Sequence, residues 1–229
     1  MTSATKHSKV TKAIAIRIIE GKVVAGYAFS LTQIQEKYGV SRTVAREAMR
    51  SLEAAGLIKS KRRVGLVVQP DDCWEDMNPT LISWRLKSSK GDEELRHLAE
   101  LRAAIEPVAV AGAARHATAP ERDALLEIYD KLRTAAMEGD QTAFLTADIE
   151  YHKLLLAASK NSLFLGLSTV FEASLTGRVE RGLMPDHPLE DAVDLHGQVA
   201  RAVAIGDSNA GFESMMLMLD VAWQELFGE

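Results

Sequence analysis

The sequence predicts a mainly α-helical protein in two parts: three helices with a β-hairpin at the N-terminus, then an all-helical antiparallel bundle. Apolar residues recur at helical spacing along most of the chain, and β-prone runs occur only between residues 57 and 69. Formal charge also divides the chain. Residues 1–70 contain thirteen Lys and Arg against four Asp and Glu, whereas the remainder contains fourteen against twenty-eight. A basic first third therefore precedes an acidic body, and a basic segment of this kind is typical of contact with a polyanion.

Composition excludes several classes of protein. With 47% hydrophobic and 26% charged residues, the chain of 229 residues is expected to form a packed fold and not a disordered one. The single cysteine, Cys73, rules out an intramolecular disulfide and has no zinc-finger spacing. Residues 1–12 are polar and basic, unlike a signal peptide, and no run approaches 18 uninterrupted apolar residues. We therefore expect a cytoplasmic protein with no membrane partner.

The first 70 residues show an order of elements that is typical of DNA-binding domains. Helices are predicted at residues 9–20, 31–38 and 42–54. Two short strands are predicted at Leu57–Ser60 and Leu66–Gln69, on either side of a basic turn, and residues 21–30 are expected to be turn-like. Three helices followed by a hairpin form a winged helix-turn-helix, whose third helix reads the major groove.

The third predicted helix has the layout of a recognition helix. Ser41 can cap its N-terminus, and Val44, Ala48 and Leu52 give it a buried face. Arginines on its other faces are suited to bidentate contacts with guanine, and basic residues in the hairpin turn can pair with phosphates or enter the minor groove. The residues predicted to bind DNA are Ser41, Arg42, Thr43, Arg46, Arg50, Arg62, Arg63 and Gly65.

The segment GVSRTVAREAMRSLEAAGLIKSKRRVG resembles the head of the GntR family of bacterial regulators. Heads of that family read G-V-S-R, then R-E-A, a leucine, and G-L before a basic wing. The resemblance implies binding to double-stranded operator DNA. One departure is notable: the family usually carries an acidic residue and an arginine where this chain has Leu31 and Thr32. Because that arginine often contacts DNA, its absence implies an altered operator preference or a weaker contact.

The rest of the chain is predicted to be helical. Residues 71–90 are interpreted as a linker with a short helix, and residues 91–229 as one helical domain. Asp140 and Asn161 are expected to cap helices, and Pro188 to lie in a first helical turn. The predicted helices cover residues 80–88, 92–116, 120–137, 141–158, 162–181, 188–205 and 208–227.

Several ionisable residues in the helical part suggest a binding site. Asp148 and His152 are four residues apart and so share one helix face, and His196 lies on a later helix. An Asp and two His that converge in a bundle suit a divalent transition metal, although by spacing alone an i,i+4 Asp–His pair is more often a hydrogen-bonded or surface pair. Arg102 has a planar fork that matches a carboxylate, and an ion pair with Glu106 at i+4 is the alternative.

The helical part also resembles the FCD ligand-binding domain of the FadR subfamily within GntR, over roughly residues 79–227. The similarity lies in ELRAAIEPVAVAGAARHA, ADIEYHKLLLAASKNSLF and HGQVARAVAIGD. Many such domains bind a metal through one Asp and three His, and Asp148, His152 and His196 match three of these positions. Met218 stands at the fourth, and a thioether is a poor ligand for the ions expected, Zn²⁺ first with Ni²⁺ or Mn²⁺ as alternatives. Arg102 resembles an arginine that binds effector carboxylate, which implies that Arg102 and Met218 border an effector.

Taken together, these features predict a ligand-responsive transcription regulator. Because effector binding in such regulators usually relieves repression, a repressor is expected, and activation stays an open alternative. A homodimer is expected, since operators read by helix-turn-helix dimers are palindromic. The linker sequence MNPTLISWRL, ADIEYH and the methionine are most similar to repressors of the galactonate type, which implies a small carboxylic or sugar acid as effector. Two alternatives stay open: a metal-dependent enzyme that uses Asp148, His152 and His196, and a dimeric repressor without an effector. Glu150 points to a different helix face from Asp148 and is a poor general base for the enzyme.

Overall fold

The computed structural model describes residues 3–183 and 190–228. The chain divides into two compact units, Met1–Glu94 and Leu95–Glu229, which we call the head and the body. Both are dominated by helices, and the mainly α-helical class predicted from the sequence is confirmed. No helix in the described part of the chain is long and apolar enough to cross a membrane.

The head contains four α-helices in the described residues, and local capping explains where two of them begin and end. Ser30 and Gln33 form a capping box at the start of α2, and Gly39 ends that helix with a left-handed φ of 62°. Ser41 caps α3 by accepting a hydrogen bond from the Val44 backbone N–H at 3.3 Å. The helices are α1 (Ser3–Ile19), α2 (Leu31–Tyr38), α3 (Arg42–Ala54) and α4 (Pro79–Leu86).

A small antiparallel sheet completes the head. Its strands β1 (Ala28–Phe29), β2 (Ile58–Lys61) and β3 (Gly65–Val68) lie in the order β1-β3-β2. The hairpin is close to the prediction, with each strand displaced by about one residue. The expectation that residues 21–30 form only a turn is wrong, because Ala28 pairs with Val67 and Phe29 with Leu66. This pairing satisfies backbone groups that β3 would otherwise expose at the sheet edge.

The end of α3 is tied to the segment predicted as a linker. The backbone N–H of Glu75 donates to Ala55 O at 3.2 Å, and Asn78 Nδ2 donates to Ala54 O at 3.2 Å. These bonds satisfy carbonyls that a helix C-terminus leaves unpaired. Leu81 and Trp84 of α4 lie in the core of the head, so this segment folds with it. The domain boundaries after residues 70 and 90 stay a prediction.

The body consists of helices packed around one hydrophobic core. Asp140 and Asn161 cap α7 (Gln141–Ala158) and α8 (Ser162–Gly166) as expected. The single helix expected at 162–181 is instead two helices separated at Leu167, directly after Gly166, a residue of low helix propensity. The expected helix start at Pro188 lies outside the described residues. The helices are α5 (Gly91–His116), α6 (Ala119–Glu138), α7 (Gln141–Ala158), α8 (Ser162–Gly166), α9 (Ser168–Glu180), α10 (Glu190–Ile205) and α11 (Ser208–Phe227).

Close contacts set the position of α10 against α6 and α7. Gly197 lies so near Tyr129 that a Cβ there would be 2.7 Å from the tyrosine ring. The Tyr151 hydroxyl, fully buried, donates to the backbone carbonyl of His196 at 2.6 Å. These contacts bring the His196 side chain toward α7, where Asp148 and His152 lie.

Candidate functional site

The exposed side of α3 carries the arginines that the sequence assigned to DNA binding. Val44, Ala45, Ala48, Met49 and Leu52 form the buried face of the helix. Arg42, Thr43, Arg46 and Arg50 are exposed, as a recognition helix requires. Arg50 Nη1 donates to Glu47 Oε1 at 2.8 Å, so this arginine has a partner on its own helix.

The hairpin turn presents two more exposed arginines. Arg62 and Arg63 lie between β2 and β3, and Arg63 adopts a left-handed φ of 66°, an uncommon conformation for a residue with a side chain. Gly65 has a clear structural role, because a Cβ at this position would lie 3.0 Å from the Phe29 carbonyl oxygen in β1. The close approach of β1 and β3 therefore requires glycine here.

A groove of about 400 Å³ runs between α3, the start of α2 and the hairpin. Arg46, Arg50 and Gly65 line this groove together with Ser30, which the sequence reasoning did not assign to DNA binding. The other five predicted residues lie outside its lining: Ser41, Arg42, Thr43, Arg62 and Arg63. Ser30 is the cap of α2, and a capping signature with Gln33 three residues later was the available signal.

Asp148, His152 and His196 come together inside the body. Their possible ligand atoms all lie within 4.8 Å of one another, and all three side chains are buried. The Nε2 atoms of His152 and His196 approach the same oxygen, Asp148 Oδ1, at 3.3 and 3.2 Å. The juxtaposition predicted from the sequence is thus present, with both imidazoles against the same carboxylate oxygen.

The far side of each imidazole faces an acceptor. His196 Nδ1 lies 2.7 Å from the backbone carbonyl of Ala192. His152 Nδ1 lies 2.8 Å from Glu106 Oε2, although the geometry there is not that of a hydrogen bond and the atom has no other partner among the described residues. A carboxylate or carbonyl behind each histidine is the usual support for a metal ligand, because it leaves Nε2 free. Sequence reasoning considered Glu106 only as a partner of Arg102 and missed this contact.

Arg102 completes a buried network of charges. Its Nε donates to Glu106 Oε1 at 2.6 Å, so the ion pair that the sequence left open is present. Its Nη2 lies 3.2 Å from His152 Nε2. Arg102 also lines the cavity next to the cluster, and the ion pair and the cavity position therefore occur together.

Opposite charges determine the protonation of the cluster. Burial favours a raised pKa for Glu106, but Arg102 and His152 outweigh it and lower the pKa to about 2. Burial likewise opposes ionisation of Asp148, whereas hydrogen bonds from His152 and His196 hold its pKa below the ordinary range. For His152, burial lowers the pKa but the Glu106 carboxylate raises it to about 9. Without a metal, the network is one of paired ions.

The cluster opens into a cavity of about 60 Å³, enough for roughly four water molecules. Arg102, Asp148, His152, His196 and Met218 all line it, so every body residue that the sequence assigned to a site is in one place. The remaining wall is largely apolar, and a second ion pair between α9 and α11 contributes to it.

The residues present fit a divalent ion. Two imidazole nitrogens and one carboxylate oxygen converge, and the buried Nδ1 of His152, which lacks a good partner, faces a carboxylate that a metal-bound imidazole would use. Imidazole and carboxylate suit Zn²⁺, Ni²⁺ and Mn²⁺. Met218 lies in the cavity wall, and its thioether adds no suitable ligand.

Comparisons with known proteins agree with this organisation. The family model for bacterial regulatory proteins of the gntR family matches residues 6–68, and the FCD domain model matches residues 97–220. The galactonate operon transcriptional repressor of Escherichia coli K12 is 27% identical over 93% of both chains. A probable D-xylose utilization operon transcriptional repressor of Paenarthrobacter nicotinovorans is 25% identical over 90% of this chain and 82% of the other.

Solved structures share the fold. Lar, described as controlling the expression of the Listeria monocytogenes agr system, has a TM-score of 0.61 at 13% identity over 97% of this chain and 96% of the other. McbR/YncC of Escherichia coli has a TM-score of 0.57 at 15% identity over 100% of this chain and 99% of the other. The curated relatives are named as regulators, which gives no support to the metal-dependent enzyme. Because the FCD model alone matches more than half of the residues and the GntR model matches the head, the chain belongs to the GntR family of bacterial regulatory proteins and is a DNA-binding transcription regulator with an FCD domain.

Proposed function

We propose that this regulator is a homodimeric repressor that releases a palindromic operator when a small carboxylic acid binds in the body. In this proposal residues 1–70 bind DNA, and residues 91–229 bind the effector and form the dimer. Residues 71–90 are the linker between these two domains. The protein acts in the cytoplasm, where a transcription regulator meets its operator. The observation that carries this proposal is the buried cluster of Asp148, His152 and His196 beside Arg102, because burying charged groups costs free energy even when they are paired, and these groups line a cavity that a ligand can occupy.

On the DNA side, α3 enters the major groove and the hairpin turn contacts the backbone or the minor groove. Arg46 and Arg50 support this assignment because they line the groove beside α3, and Arg62 and Arg63 because they are exposed at the turn. Two heads in a dimer read two half-sites. The basic charge of residues 1–70 provides the long-range attraction to phosphate.

In the body, Asp148, His152 and His196 hold a divalent ion, with Zn²⁺ expected first and Ni²⁺ or Mn²⁺ as alternatives. A bound ion would supply a Lewis acid for the carboxylate and α-hydroxyl oxygens of the effector. Arg102 takes a remaining carboxylate oxygen, and Met218 borders the acid. The relative named for galactonate supports an acid of the sugar-acid type.

Release of DNA requires that the effector favour one arrangement of the heads over another. A ligand shifts such an equilibrium only through its difference in affinity for the two states. The cavity is lined by side chains of α5, α7, α9, α10 and α11, so a bound acid provides such a difference when its contacts favour one arrangement of these helices. Residues 71–78 and α4, which are tied to the end of α3, carry the change to the recognition helix.

Metal binding is tested first, on protein freed of metal by chelation. Zn²⁺, Ni²⁺ and Mn²⁺ are added separately, and binding is followed by calorimetry and by the thermal unfolding midpoint. Asp148→Asn is expected to abolish saturable binding, while Asp123→Asn, an exposed change of the same charge on α6, leaves it intact. Saturable binding that survives in Asp148→Asn contradicts this metal site.

The effector is tested with aldonates, uronates, lactate, malate, citrate and a fatty acyl-CoA, each with and without prior chelation. A ligand at a hundred times its dissociation constant stabilises the native state by about 2.7 kcal/mol, which is readily measured. The stabilising acid is then added to complexes with duplexes selected from a random pool, and dissociation is the expected result. Stabilisation by no acid leaves a repressor without an effector and refutes the sensing part.

A further inference from the structure

A second ion pair lies in the wall of the cavity, away from the cluster. Arg178 on α9 donates to Glu225 on α11, and both side chains line the same cavity as Asp148. Their side chains are 15% and 18% exposed, compared with 4% for His152 and 8% for His196. We therefore call Arg178 and Glu225 the outer end of the cavity, and Arg102, Glu106, Asp148, His152 and His196 the inner end.

The two ends differ in net charge. At the inner end, Arg102 and Glu106 cancel, and a divalent ion on one carboxylate and two neutral imidazoles leaves a net charge of one positive unit. That end matches a single carboxylate. At the outer end, Arg178 and Glu225 cancel each other and leave no net charge to neutralise a second carboxylate.

The outer end still offers strong hydrogen-bonding groups of both kinds. A guanidinium only donates and a carboxylate only accepts, whereas a hydroxyl group can do both. Arg178 Nε also donates to the Leu183 carbonyl at 3.4 Å, which helps to fix the orientation of the guanidinium. Leu175, Leu219 and Val221 also line the cavity, and their apolar side chains suit the C–H face of a carbon chain.

We propose that the Arg178–Glu225 pair recognises hydroxyl groups at the far end of the effector and excludes a second carboxylate there. The ligand class is then a polyhydroxylated monoacid, and not a diacid or an unsubstituted alkanoic acid. This inference rests on the proposed function, in which the inner end holds the carboxylate. A diacid places its second carboxylate beside Glu225, where the two negative charges repel. An alkanoic acid places C–H groups against the pair, which removes water from Arg178 and Glu225 and offers no hydroxyl hydrogen bond in return.

Three six-carbon acids separate these possibilities: D-galactonate, its diacid galactarate, and hexanoate. Dissociation constants are measured by calorimetry on the full-length, Zn²⁺-loaded protein. We expect galactonate to bind at least tenfold more tightly than either of the others. Glu225→Gln removes the negative charge while keeping an acceptor oxygen, so the ratio of galactarate to galactonate affinity is expected to rise at least tenfold.

Two further variants keep the test decisive. Glu213→Gln makes the same charge change at an exposed position on the same helix, and is expected to leave all three affinities unchanged. If Glu225→Gln fails to fold, the double variant Arg178→Gln/Glu225→Gln retains an amide pair, and there the preference for galactonate over galactarate is expected to fall toward one.

The outcomes distinguish this inference from the proposed function. Galactarate or hexanoate binding as tightly as galactonate in the unmodified protein overturns the inference but leaves an acid sensor in place. An affinity ratio unchanged in Glu225→Gln also overturns it. If no acid in the wider panel stabilises the protein, the proposed function fails first and this inference fails with it.

Discussion

The head and the body place their functional side chains in opposite environments. In the head, Arg42, Arg46 and Arg62 are exposed, and folding leaves them largely in water. In the body, the corresponding charges are buried within one cluster, and each has an oppositely charged neighbour. An exposed arginine costs little to keep, whereas a buried ion is tolerated only with partners. The same kinds of residue are therefore open to solvent in one unit and held by oppositely charged neighbours in the other.

The largest expected effect breaks the pairing in the body. Glu106→Gln removes the carboxylate that contacts both Arg102 and His152, and leaves these two cations buried near each other. We expect a loss of roughly 3–5 kcal/mol in the free energy of unfolding, as for other buried pairs with one partner removed. Denaturant unfolding of metal-free protein measures it.

Glu100→Gln is the matched control, since it neutralises an exposed glutamate on the same helix, α5. Its effect is expected to stay within about 0.5 kcal/mol. Equal free energies of unfolding for the two variants would mean that the buried carboxylate matters no more to stability than an exposed one. The contrast between buried charges in the body and exposed charges in the head would then be refuted.

The next effect shows that the head depends on close backbone packing. Gly56 has a φ of 75°, and a Cβ there would lie 2.8 Å from Cys73 O and 2.9 Å from Glu75 N. Gly56→Ala therefore combines an unfavourable backbone conformation with a clash against backbone atoms, and we expect a loss of roughly 2–4 kcal/mol in unfolding free energy.

Gly26→Ala separates the two contributions. Gly26 has a similar φ of 85°, but a Cβ there would meet nothing within 4 Å. Its cost is expected to be about 1–2 kcal/mol, from backbone conformation alone. If both alanine variants unfold at the same denaturant concentration, residues 73–75 do not pack tightly on Gly56 in solution.

Local patterns were sufficient to predict the recognition helix and part of the body cluster. Ser41, Val44 and Leu52 lie where helical spacing and capping placed them, because these signals need only neighbouring residues. Asp148 and His152 share a helix face for the same reason. The meeting of His196 with this pair depended on family resemblance, since spacing along one helix says nothing about a later helix.

The missed features depend on contacts between distant segments. Strand β1 has two residues, too few to show an alternating pattern, and it forms because β3 offers an unpaired edge. Glu106 had a complete local explanation as the i+4 partner of Arg102, and its approach to His152 follows only from the position of α7 beside it. Sequence patterns predict which face of a helix or strand is buried, but they do not predict which other element packs against that face.

A third prediction concerns DNA affinity in the head. Arg46→Gln is expected to weaken binding to a selected operator by roughly 1–3 kcal/mol and to relax preference at one base position, because Arg46 lines the groove beside α3. Arg62→Gln is expected to weaken binding to all sequences alike and to reduce the salt dependence by about one unit of slope. Fluorescence anisotropy at several salt concentrations measures both.

Lys153→Gln makes the same charge change on an exposed position of the body and is expected to leave DNA affinity unaltered. All three variants should unfold within about 0.5 kcal/mol of the unmodified protein. A large loss of stability in Arg46→Gln would show that this arginine stabilises the folded head, contrary to the contrast drawn between exposed charges in the head and buried charges in the body.

The smallest effect tests whether exposed charges in the body behave like those in the head. Lys160 Nζ contacts Glu121 Oε1 and Oε2 at 2.5 and 2.7 Å, and the side chains are 45% and 25% exposed. Hydrogen bonds from Lys160, followed by those from Thr118, lower the pKa of Glu121 to about 2.

Because the pKa of Glu121 in the folded protein is lowered from 4.5, the stability that the ion pair contributes is complete above about pH 4.5 and is lost as pH falls toward 2. Lys160→Met is therefore expected to cost at most about 1 kcal/mol at pH 7, and less in high salt. The difference from the unmodified protein is expected to shrink as pH falls from 4.5 and to disappear near pH 2. A cost of several kcal/mol at pH 7 would place this pair with the buried network and not with the surface charges, and burial would then no longer separate the two kinds of charge in this chain.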